Sequence, residues 1–343
     1  MTTLTTVEVA PDEAALRLDR WFQRHFPGLG RATLHKLLRT GQVRVDGRRA
    51  AASLRLAPGQ RVRVPPQAHG APAPPRPAPA PAPTAAEVEA LRARVLYRDD
   101  DIIAIDKPAG LSVQGGSGQR RHLDALAAAL QFDAAEPPRL VHRLDKDTSG
   151  VLVLARAARA AARLAGLFRS GEVAKTYWAV VVGVPRPAAG VVTQALTKAG
   201  GPGREKVTAA DGGGRPDSAE AKPFRLRAGR PATTRYRTIA RAGDRAAWLE
   251  LRPLTGRTHQ LRVHCLALGT PIAGDGKYGG KAAALEIAPG KVVRRLQLHA
   301  RELVIPQAPG GNLRLHAPVP AHMLATFRAL GFDPDSPAAE AGP

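Results

Sequence analysis

The amino-acid sequence predicts an α+β fold, in which a large core with a mixed, largely antiparallel sheet follows a small α+β module. Short runs of alternating apolar residues are typical of half-buried strands, and other runs repeat at helical spacing. A stretch rich in proline and alanine separates the two parts and cannot form a core of its own. We therefore expect a module over residues 14–65, a linker over 66–86, a core over 87–332 and a disordered tail over 333–343.

The small module is predicted to contain two short helices followed by strands. Two groups of apolar residues recur at helical spacing: Leu18, Trp21, Phe22 and Phe26, then Leu34, Leu37 and Leu38. The second group ends before Gly41, a residue type that commonly terminates helices. Valines alternate with polar residues before an Asp46-Gly47 turn and again over residues 61–64, as they do in strands.

The core is predicted to contain several strands and at least one helix. A hairpin with an Asp-rich turn is expected over residues 95–105, and it leads into Lys107-Pro108-Ala109-Gly110. Further strands are expected over residues 151–154, 177–182, 248–251 and 303–305, with a helix over 157–168. Cys265 is the only cysteine, so a disulfide within the chain and a cysteine-based zinc site are excluded, and a buried thiol is expected.

The charge of the chain indicates a polyanionic partner. Lys and Arg number 51 against 29 Asp and Glu, which leaves a formal net charge of +22. A solvated surface does not require so much uncompensated charge, and nucleic acid is its simplest explanation. Residues 16–64 hold 12 of the cations and two of the acids, so this module is expected either to contact phosphates or merely to space and solubilise the core.

The sequence shows no secretory leader and no run of 18 apolar residues. We therefore expect a cytoplasmic protein without a membrane partner, and a monomer. His259 and His264 lack a third ligand at fitting spacing, so no metal site is expected there.

Residues 142–150 form a polar loop with candidate catalytic side chains, directly ahead of an apolar strand. Their sequence is His-Arg-Leu-Asp-Lys-Asp-Thr-Ser-Gly. Asp145 has cations at positions 143 and 146 and a second carboxylate at 147, and cationic neighbours favour an ionised carboxylate that can act as a nucleophile or base. On the residues alone, a salt bridge or a turn cap in this loop is the favoured interpretation.

This segment resembles the signature of the RluA family of pseudouridine synthases, His-Arg-Leu-Asp-x-x-Thr-Ser-Gly, at every fixed position. The resemblance implies that Asp145 is the catalytic carboxylate. It also implies that Arg143 helps to displace the target base from the RNA stack, and we assign its neighbour His142 to the same RNA contact.

Three further segments are similar to motifs of the same family. Residues 105–111, Ile-Asp-Lys-Pro-Ala-Gly-Leu, resemble its first, mainly structural motif. Lys175-Thr176-Tyr177 resembles a Lys-x-Tyr motif, which implies that Tyr177 lies against the target uracil. Residues 255–264 resemble its Gly-Arg-Thr-His-Gln-(Ile/Leu)-Arg-x-His segment, which implies that Arg262 pairs with the catalytic aspartate.

The small module resembles an S4-type RNA-binding domain, whose Gly-x-Val-x-Val-(Asp/Asn)-Gly turn is matched by residues 41–47. The resemblance implies RNA contacts from its basic side chains, for which we select Arg20, Arg31, Lys36, Arg39, Arg44 and Arg48.

Together the resemblances imply an enzyme that isomerises uridines to pseudouridine in RNA without a cofactor. An S4-type module ahead of this core is typical of the RluC/RluD-like members, which implies large-subunit (23S) ribosomal RNA or a pre-ribosomal particle as partner. The alternatives are a tRNA-directed synthase of the same family, a non-catalytic RNA-binding or ribosome-assembly protein, and a metal-dependent nuclease that uses the carboxylates at 99–101 and 145–147.

Overall fold

The computed structural model describes residues 5–69, 83–115, 121–199, 206–209, 229–307 and 310–340. The chain divides into two compact units, Met1–Pro79 and Ala80–Pro343, which we describe separately. Most of the predicted linker over residues 66–86 lies outside the described residues. Its described ends hold a short 3-10 helix, Pro66–Ala68, and the beginning of a helix at Ala85.

The small unit contains the two predicted helices and a four-stranded sheet. Its elements are β1 (Thr5–Glu8), α1 (Leu18–His25), α2 (Arg31–Arg39), β2 (Arg44–Val45), β3 (Arg48–Arg49) and β4 (Arg61–Val64). The strand order is β1-β4-β2-β3, with antiparallel pairing throughout. Strand β1 was not expected, and it extends the unit upstream of residue 14.

The apolar residues that repeat at helical spacing form the core of this unit. Trp21 and Phe22 of α1 are fully buried, and they pack with the leucines of α2 and the valines of the sheet. Glu13 is buried beside them, where its carboxylate accepts a hydrogen bond from Trp21 Nε1 at 2.8 Å and contacts His25 Nε2 at 2.5 Å. The helix pair therefore rests on one continuous apolar cluster that holds a single, satisfied carboxylate.

The large unit alternates strands with a few helices. Its helices are α3 (Ala85–Arg92), α4 (Leu123–Leu126), α5 (Ala158–Ser170), α6 (Gln260–Ala267), α7 (Ala321–Leu330) and α8 (Pro337–Glu340). Its first strands are β5 (Val95–Arg98), β6 (Ile102–Lys107), β7 (Arg139–Leu140), β8 (Ser149–Ala155), β9 (Ala174–Val182), β10 (Ala189–Ala199) and β11 (Lys206–Ala209). The remaining strands are β12 (Arg230–Ala242), β13 (Ala246–Pro253), β14 (Glu286–Ala288), β15 (Lys291–Val292), β16 (Leu298–Gln307) and β17 (Gly311–His316).

Eleven of these described strands form one mixed sheet with the order β11-β10-β12-β13-β9-β16-β8-β6-β5, to which β17 and β7 add at β16 and β8. The pair β8 and β16 is parallel, and its described neighbours pair antiparallel. The predicted fold class, α+β with a mixed and largely antiparallel sheet, is therefore confirmed. The strands predicted around residues 151–154, 177–182, 248–251 and 303–305 are β8, β9, β13 and β16.

The centre of the sheet is covered on both faces, which explains why its strands read as continuous apolar runs. All seven residues of β8 are buried. Val151 and Val153 face one apolar cluster with α5, whereas Leu152 and Leu154 face a second cluster with α4. A strand held from both sides is a rigid base for the loop that precedes it.

The end of the chain differs from expectation. Residues 333–340 were predicted to be a disordered tail, but they include α8, and Ala339 is buried in the cluster that Trp248 and Phe327 form. Apolar contacts therefore order the tail as far as residue 340. Among the described residues, every helix is too short or too polar to cross a membrane.

Candidate active site

The loop over residues 141–148 is fixed where it enters β8. Gly150 has a φ of +111°, and a Cβ atom added to it would lie 2.2 Å from the carbonyl oxygen of Ala300 on the parallel strand β16. Only glycine fits this approach, because any side chain would collide with backbone and strain the conformation. One residue earlier, Ser149 Oγ lies 2.9 Å from Nδ1 of the buried His299.

A buried lysine ties the loop to the neighbouring strand. Lys107 at the end of β6 is fully buried, and its ammonium donates to the carbonyl oxygens of Pro108, Leu111 and Lys146 at 2.8, 2.8 and 3.0 Å. Burial lowers the pKa of Lys107 to about 8, and the negative charges of the loop carboxylates oppose that shift. The motif over residues 105–111 therefore supports the loop that carries Asp145.

A cavity of about 270 Å³ brings together residues that lie far apart in the sequence. Arg143 and Asp145 come from the loop, and Tyr177 comes from β9. Residues 253 and 255–259 and the first turn of α6, which includes Arg262, close the opposite side. The cavity thus collects all five residues predicted for catalysis and base displacement: His142, Arg143, Asp145, Tyr177 and Arg262.

Asp145 also lines a second cavity of about 600 Å³. Five cationic side chains line this cavity as well: Lys146, Arg262, Lys277, Arg294 and Arg295. Asp145 is 23% exposed, so its carboxylate is accessible between a mixed polar and apolar cavity and a strongly basic one. A flat heterocycle fits the first environment, and a polyanionic backbone fits the second.

Tyr177 lines the cavity, and its side chain also packs against two apolar clusters. Burial raises the pKa of its phenol, and the charge of Asp145 raises it further, so the hydroxyl stays protonated at neutral pH. The side chain can therefore offer an uncharged aromatic face to a planar base.

Arg143 and His142 occupy different environments although they are neighbours. Arg143 is exposed, and its Nη2 donates to Thr258 Oγ1 at 2.9 Å. The His142 ring stacks on Phe168 with 4.2 Å between centroids, and its Nε2 accepts a hydrogen bond from Val153 N at 2.9 Å. Burial lowers the pKa of His142 to about 3, so this ring is neutral, and the RNA contact expected of it stays a prediction.

The partner of Arg262 also differs from expectation. Arg262 was predicted to pair with Asp145, but its Nε and Nη2 donate to the two carboxylate oxygens of Asp275 at 2.8 and 2.6 Å. Burial alone would lower the pKa of Arg262, but the hydrogen bonds and charge of Asp275 raise it, and Asp145 contributes through its charge. Asp145 therefore interacts with Arg262 electrostatically, while Asp275 fixes the guanidinium in place.

Two residues at the site, Asp275 and Tyr278, were not predicted, and neither was the approach of His259 to Asp145. His259 Nε2 lies 3.7 Å from Asp145 Oδ1, and His259 Nδ1 lies 2.6 Å from the hydroxyl of Tyr278. Asp275 and Tyr278 share a loop after α6, in which Asp275 Oδ1 accepts hydrogen bonds from the backbone N–H groups of Lys277 and Tyr278. The sequence signal that could have found them is an aspartate and a tyrosine within a Gly-rich turn.

The selected basic residues of the small unit divide into two groups. Arg20, Arg31, Lys36, Arg39 and Arg48 are exposed, and the first two line a concavity of about 290 Å³. Arg44 is half-buried, and its guanidinium donates to the carbonyl oxygens of Gly41 and Gly47 at 3.2 and 2.9 Å. Arg44 therefore holds the turn of the predicted S4-type motif rather than projecting freely for a ligand.

Comparisons with known proteins show the family of the chain. Residues 101–267 match the family model described as RNA pseudouridylate synthase. The chain is 33% identical to RNA pseudouridine synthase 4, mitochondrial, of Arabidopsis thaliana, over 95% of this chain and 81% of that protein. It is 32% identical to ribosomal large subunit pseudouridine synthase C of Vibrio cholerae, over 92% of this chain and 94% of that protein.

A solved structure shares the fold as well. Human RNA pseudouridylate synthase domain containing 4 superposes with a TM-score of 0.59 at 33% identity, covering 71% of this chain and 95% of that one. Cavity, sheet and sequence together define an enzyme that isomerises a base in RNA. The chain belongs to the RNA pseudouridylate synthase family, and within it to the RluA family, as its motifs indicated.

We predict that the stability of the protein depends on the pair Arg262 and Asp275. Arg262→Met and Asp275→Asn should each lower the free energy of unfolding by about 3 kcal/mol, because each leaves a buried charge without its partner. In a double-mutant cycle measured by chemical denaturation, their coupling should reach about 2 kcal/mol. The matched cycle of Arg262→Met with Asp145→Asn should give less than about 0.5 kcal/mol, and equal coupling in both cycles would contradict this account of the pair.

Proposed function

We propose that Asp145 is the essential carboxylate for uridine isomerisation and that the target is large-subunit ribosomal RNA. The observation that carries this proposal is the shared cavity, in which residues from three separate motifs, Asp145, Tyr177 and Arg262, surround one space. A volume of about 270 Å³ suits a single nucleobase with part of its sugar.

The isomerisation moves the uracil without net oxidation or reduction. The bond from C1′ to N1 breaks, the base rotates, and a new bond joins C1′ to C5, while the proton leaves C5 and N1 gains one. An ionised carboxylate can attack C1′, add to the base or remove a sugar proton, and each of these roles needs the lone pairs of Asp145. No group from outside the protein and the RNA enters this balance.

A base inside an RNA helix cannot reach Asp145, so the target nucleotide must be unstacked at a cost of a few kcal/mol. Arg143 is exposed at the rim of the cavity and suited to fill the position that the base leaves. Tyr177 offers a neutral ring inside, on which the uracil can stack. These two contacts offset the cost of unstacking.

The assignment of the RNA follows the relatives. Proteins named ribosomal large subunit pseudouridine synthase C align with nearly the whole chain at about 32% identity. Their names support ribosomal RNA over transfer RNA as the substrate here. The cytoplasmic location, the monomeric state and the pre-ribosomal particle as partner stay predictions.

We propose that the small unit holds the RNA through phosphate contacts. Residues 16–64 carry a net charge of +10, and five of the six selected cations are exposed. Side chains that contact phosphates raise affinity without reading sequence, so this unit would anchor RNA while the core selects the uridine.

The nuclease alternative lacks support from the second acidic cluster. Asp99 Oδ1 accepts from the backbone N–H groups of Asp101 and Ile102, and Asp99 Oδ2 accepts from Tyr97. Asp101 pairs with Arg163. Asp99 therefore closes a turn, and Asp101 pairs with a cation of α5. Among the described residues, no group of three possible ligands is placed to hold a metal ion.

Asp145→Asn should abolish pseudouridine formation, because the amide keeps the shape of the side chain and loses its basicity and nucleophilicity. On a large-subunit ribosomal RNA transcript tritiated at uridine C5, we expect tritium release to fall at least about 100-fold. RNA binding should stay within a few-fold. Asp147→Asn, which alters the exposed neighbouring carboxylate, is the matched control and should retain activity; retained turnover in Asp145→Asn would refute the assignment.

Replacing Arg20, Arg31 and Lys36 together by glutamine should weaken RNA binding and flatten its salt dependence. Losing three phosphate contacts should reduce the slope of log Kd against log salt by about 2. The control replaces three exposed cations of the large unit, Arg159, Arg186 and Lys291, and should leave the slope nearly unchanged. Equal slopes for the first variant and the wild type would exclude the small unit from phosphate binding.

A further inference from the structure

We infer that His259 is a positioning residue for Asp145 and that Tyr278 holds its ring in the required tautomer. This inference rests on the proposed role of Asp145. His259 lines both cavities that Asp145 lines, and its Nε2 faces Asp145 Oδ1 at 3.7 Å. The contact is just beyond direct hydrogen-bond length, so a small movement on RNA binding would complete it.

The direction of the hydrogen bonds defines the tautomer. The backbone N–H of Val207 donates to the Tyr278 hydroxyl oxygen at 3.1 Å. The Tyr278 O–H is then free to donate to His259 Nδ1 at 2.6 Å. A neutral imidazole that accepts at Nδ1 carries its proton on Nε2, and that proton is directed at the Asp145 carboxylate.

The backbone conformation of His259 supports a functional role for this residue. His259 has a φ of +55° at the start of α6, a left-handed conformation that favours glycine over other residues. Gln260 holds the turn from within, since its Oε1 accepts from Arg257 N and Thr255 Oγ1 at 3.0 and 2.8 Å. The imidazole that lines the cavity is therefore carried by a strained backbone, as is common for residues at functional sites.

Burial keeps the His259 ring neutral. Burial lowers the pKa of His259, and the cations Arg262 and Lys277 lower it further, while Asp145 and Asp275 act in the opposite direction. Burial raises the pKa of Tyr278, so its hydroxyl keeps the proton that it donates. Near pH 7 the unit therefore consists of a protonated tyrosine and a neutral histidine.

The same unit connects Asp145 to a distant part of the sheet. Val207 lies on β11, and it packs with Leu196 of β10 and Val263 of α6, with Tyr278 against this group. A displacement of the β10–β11 pair would therefore move Asp145 through the Tyr278 hydroxyl and the His259 imidazole. Arg262 is held in a different way. Among the described carboxylates, Asp275 is the one within ion-pair distance of its guanidinium.

The test compares Tyr278→Phe with Tyr236→Phe in single-turnover assays across pH. Tyr278→Phe removes only the hydroxyl and keeps the ring on which Arg262 packs at 4.9 Å. The rate at pH 7 should fall by up to about tenfold, with RNA binding within twofold, because the change affects the placement of Asp145 rather than RNA contact. Tyr236→Phe removes a comparable hydrogen bond, to the carbonyl of Pro187, and should behave like the wild type.

The pH profile separates positioning from a structural role. The Tyr278 hydroxyl stabilises neutral His259 by donating to Nδ1, so its removal should make the ring easier to protonate. The acidic limb of the rate profile should then move to higher pH in Tyr278→Phe and stay in place in Tyr236→Phe. An unmoved limb overturns the inference, and so does RNA binding weakened tenfold, which would make Tyr278 an RNA contact.

His259→Gly decides the question if Tyr278→Phe fails to fold. Glycine suits a φ of +55° and leaves a space the size of an imidazole. Added imidazole should restore activity to His259→Gly and not to Asp145→Asn, and failure of this rescue overturns the inference. If Asp145→Asn itself retains activity, the proposed function fails; if Asp145→Asn is inactive while Tyr278→Phe and His259→Gly match the wild type, only this inference fails.

Discussion

The contact between Gly150 and the backbone of Ala300 sets the position of everything else at the site. It lets β8 lie parallel to β16 at a distance that no side chain would permit, and it places the end of the loop that carries Asp145. Lys107 then fixes the middle of that loop by donating to the carbonyl oxygen of Lys146, while it also donates to those of Pro108 and Leu111 in its own segment. The loop is therefore held by backbone contacts at two points, and the Asp145 side chain remains free to face the cavity.

Positive charge is distributed so that Asp145 stays accessible. The protein has an excess of 22 cationic side chains. Nevertheless, Arg262, the arginine that the motif over residues 255–264 brings to the cavity, is neutralised by Asp275. The group that approaches the Asp145 carboxylate is a neutral imidazole. A carboxylate bound tightly to a guanidinium would be a weaker base and nucleophile. Lys146, Lys277, Arg294 and Arg295 instead line the neighbouring basic cavity, where phosphates can be bound.

The motifs in the sequence predicted which residues share the cavity but not how they are bonded. Asp145, Tyr177 and Arg143 lie in segments long enough to be recognised, and the apolar runs of β8 and β9 predicted the sheet around them. Asp275 and Tyr278 were not predicted because they belong to a loop without periodicity. Which of two carboxylates pairs with Arg262 depends on distances in the folded chain. Strand β1 and helix α8 escaped because four-residue segments carry too weak a pattern. Contacts across the fold stabilise both.

Mapping of pseudouridines in ribosomal RNA tests the central claim most directly, because it reports activity and target together. Cells that lack the protein would be compared with the same cells carrying either the wild-type chain or Asp145→Asn. The account predicts that at least one pseudouridine of large-subunit ribosomal RNA is absent without the protein, returns with the wild type and stays absent with Asp145→Asn. Identical maps in all three would contradict it.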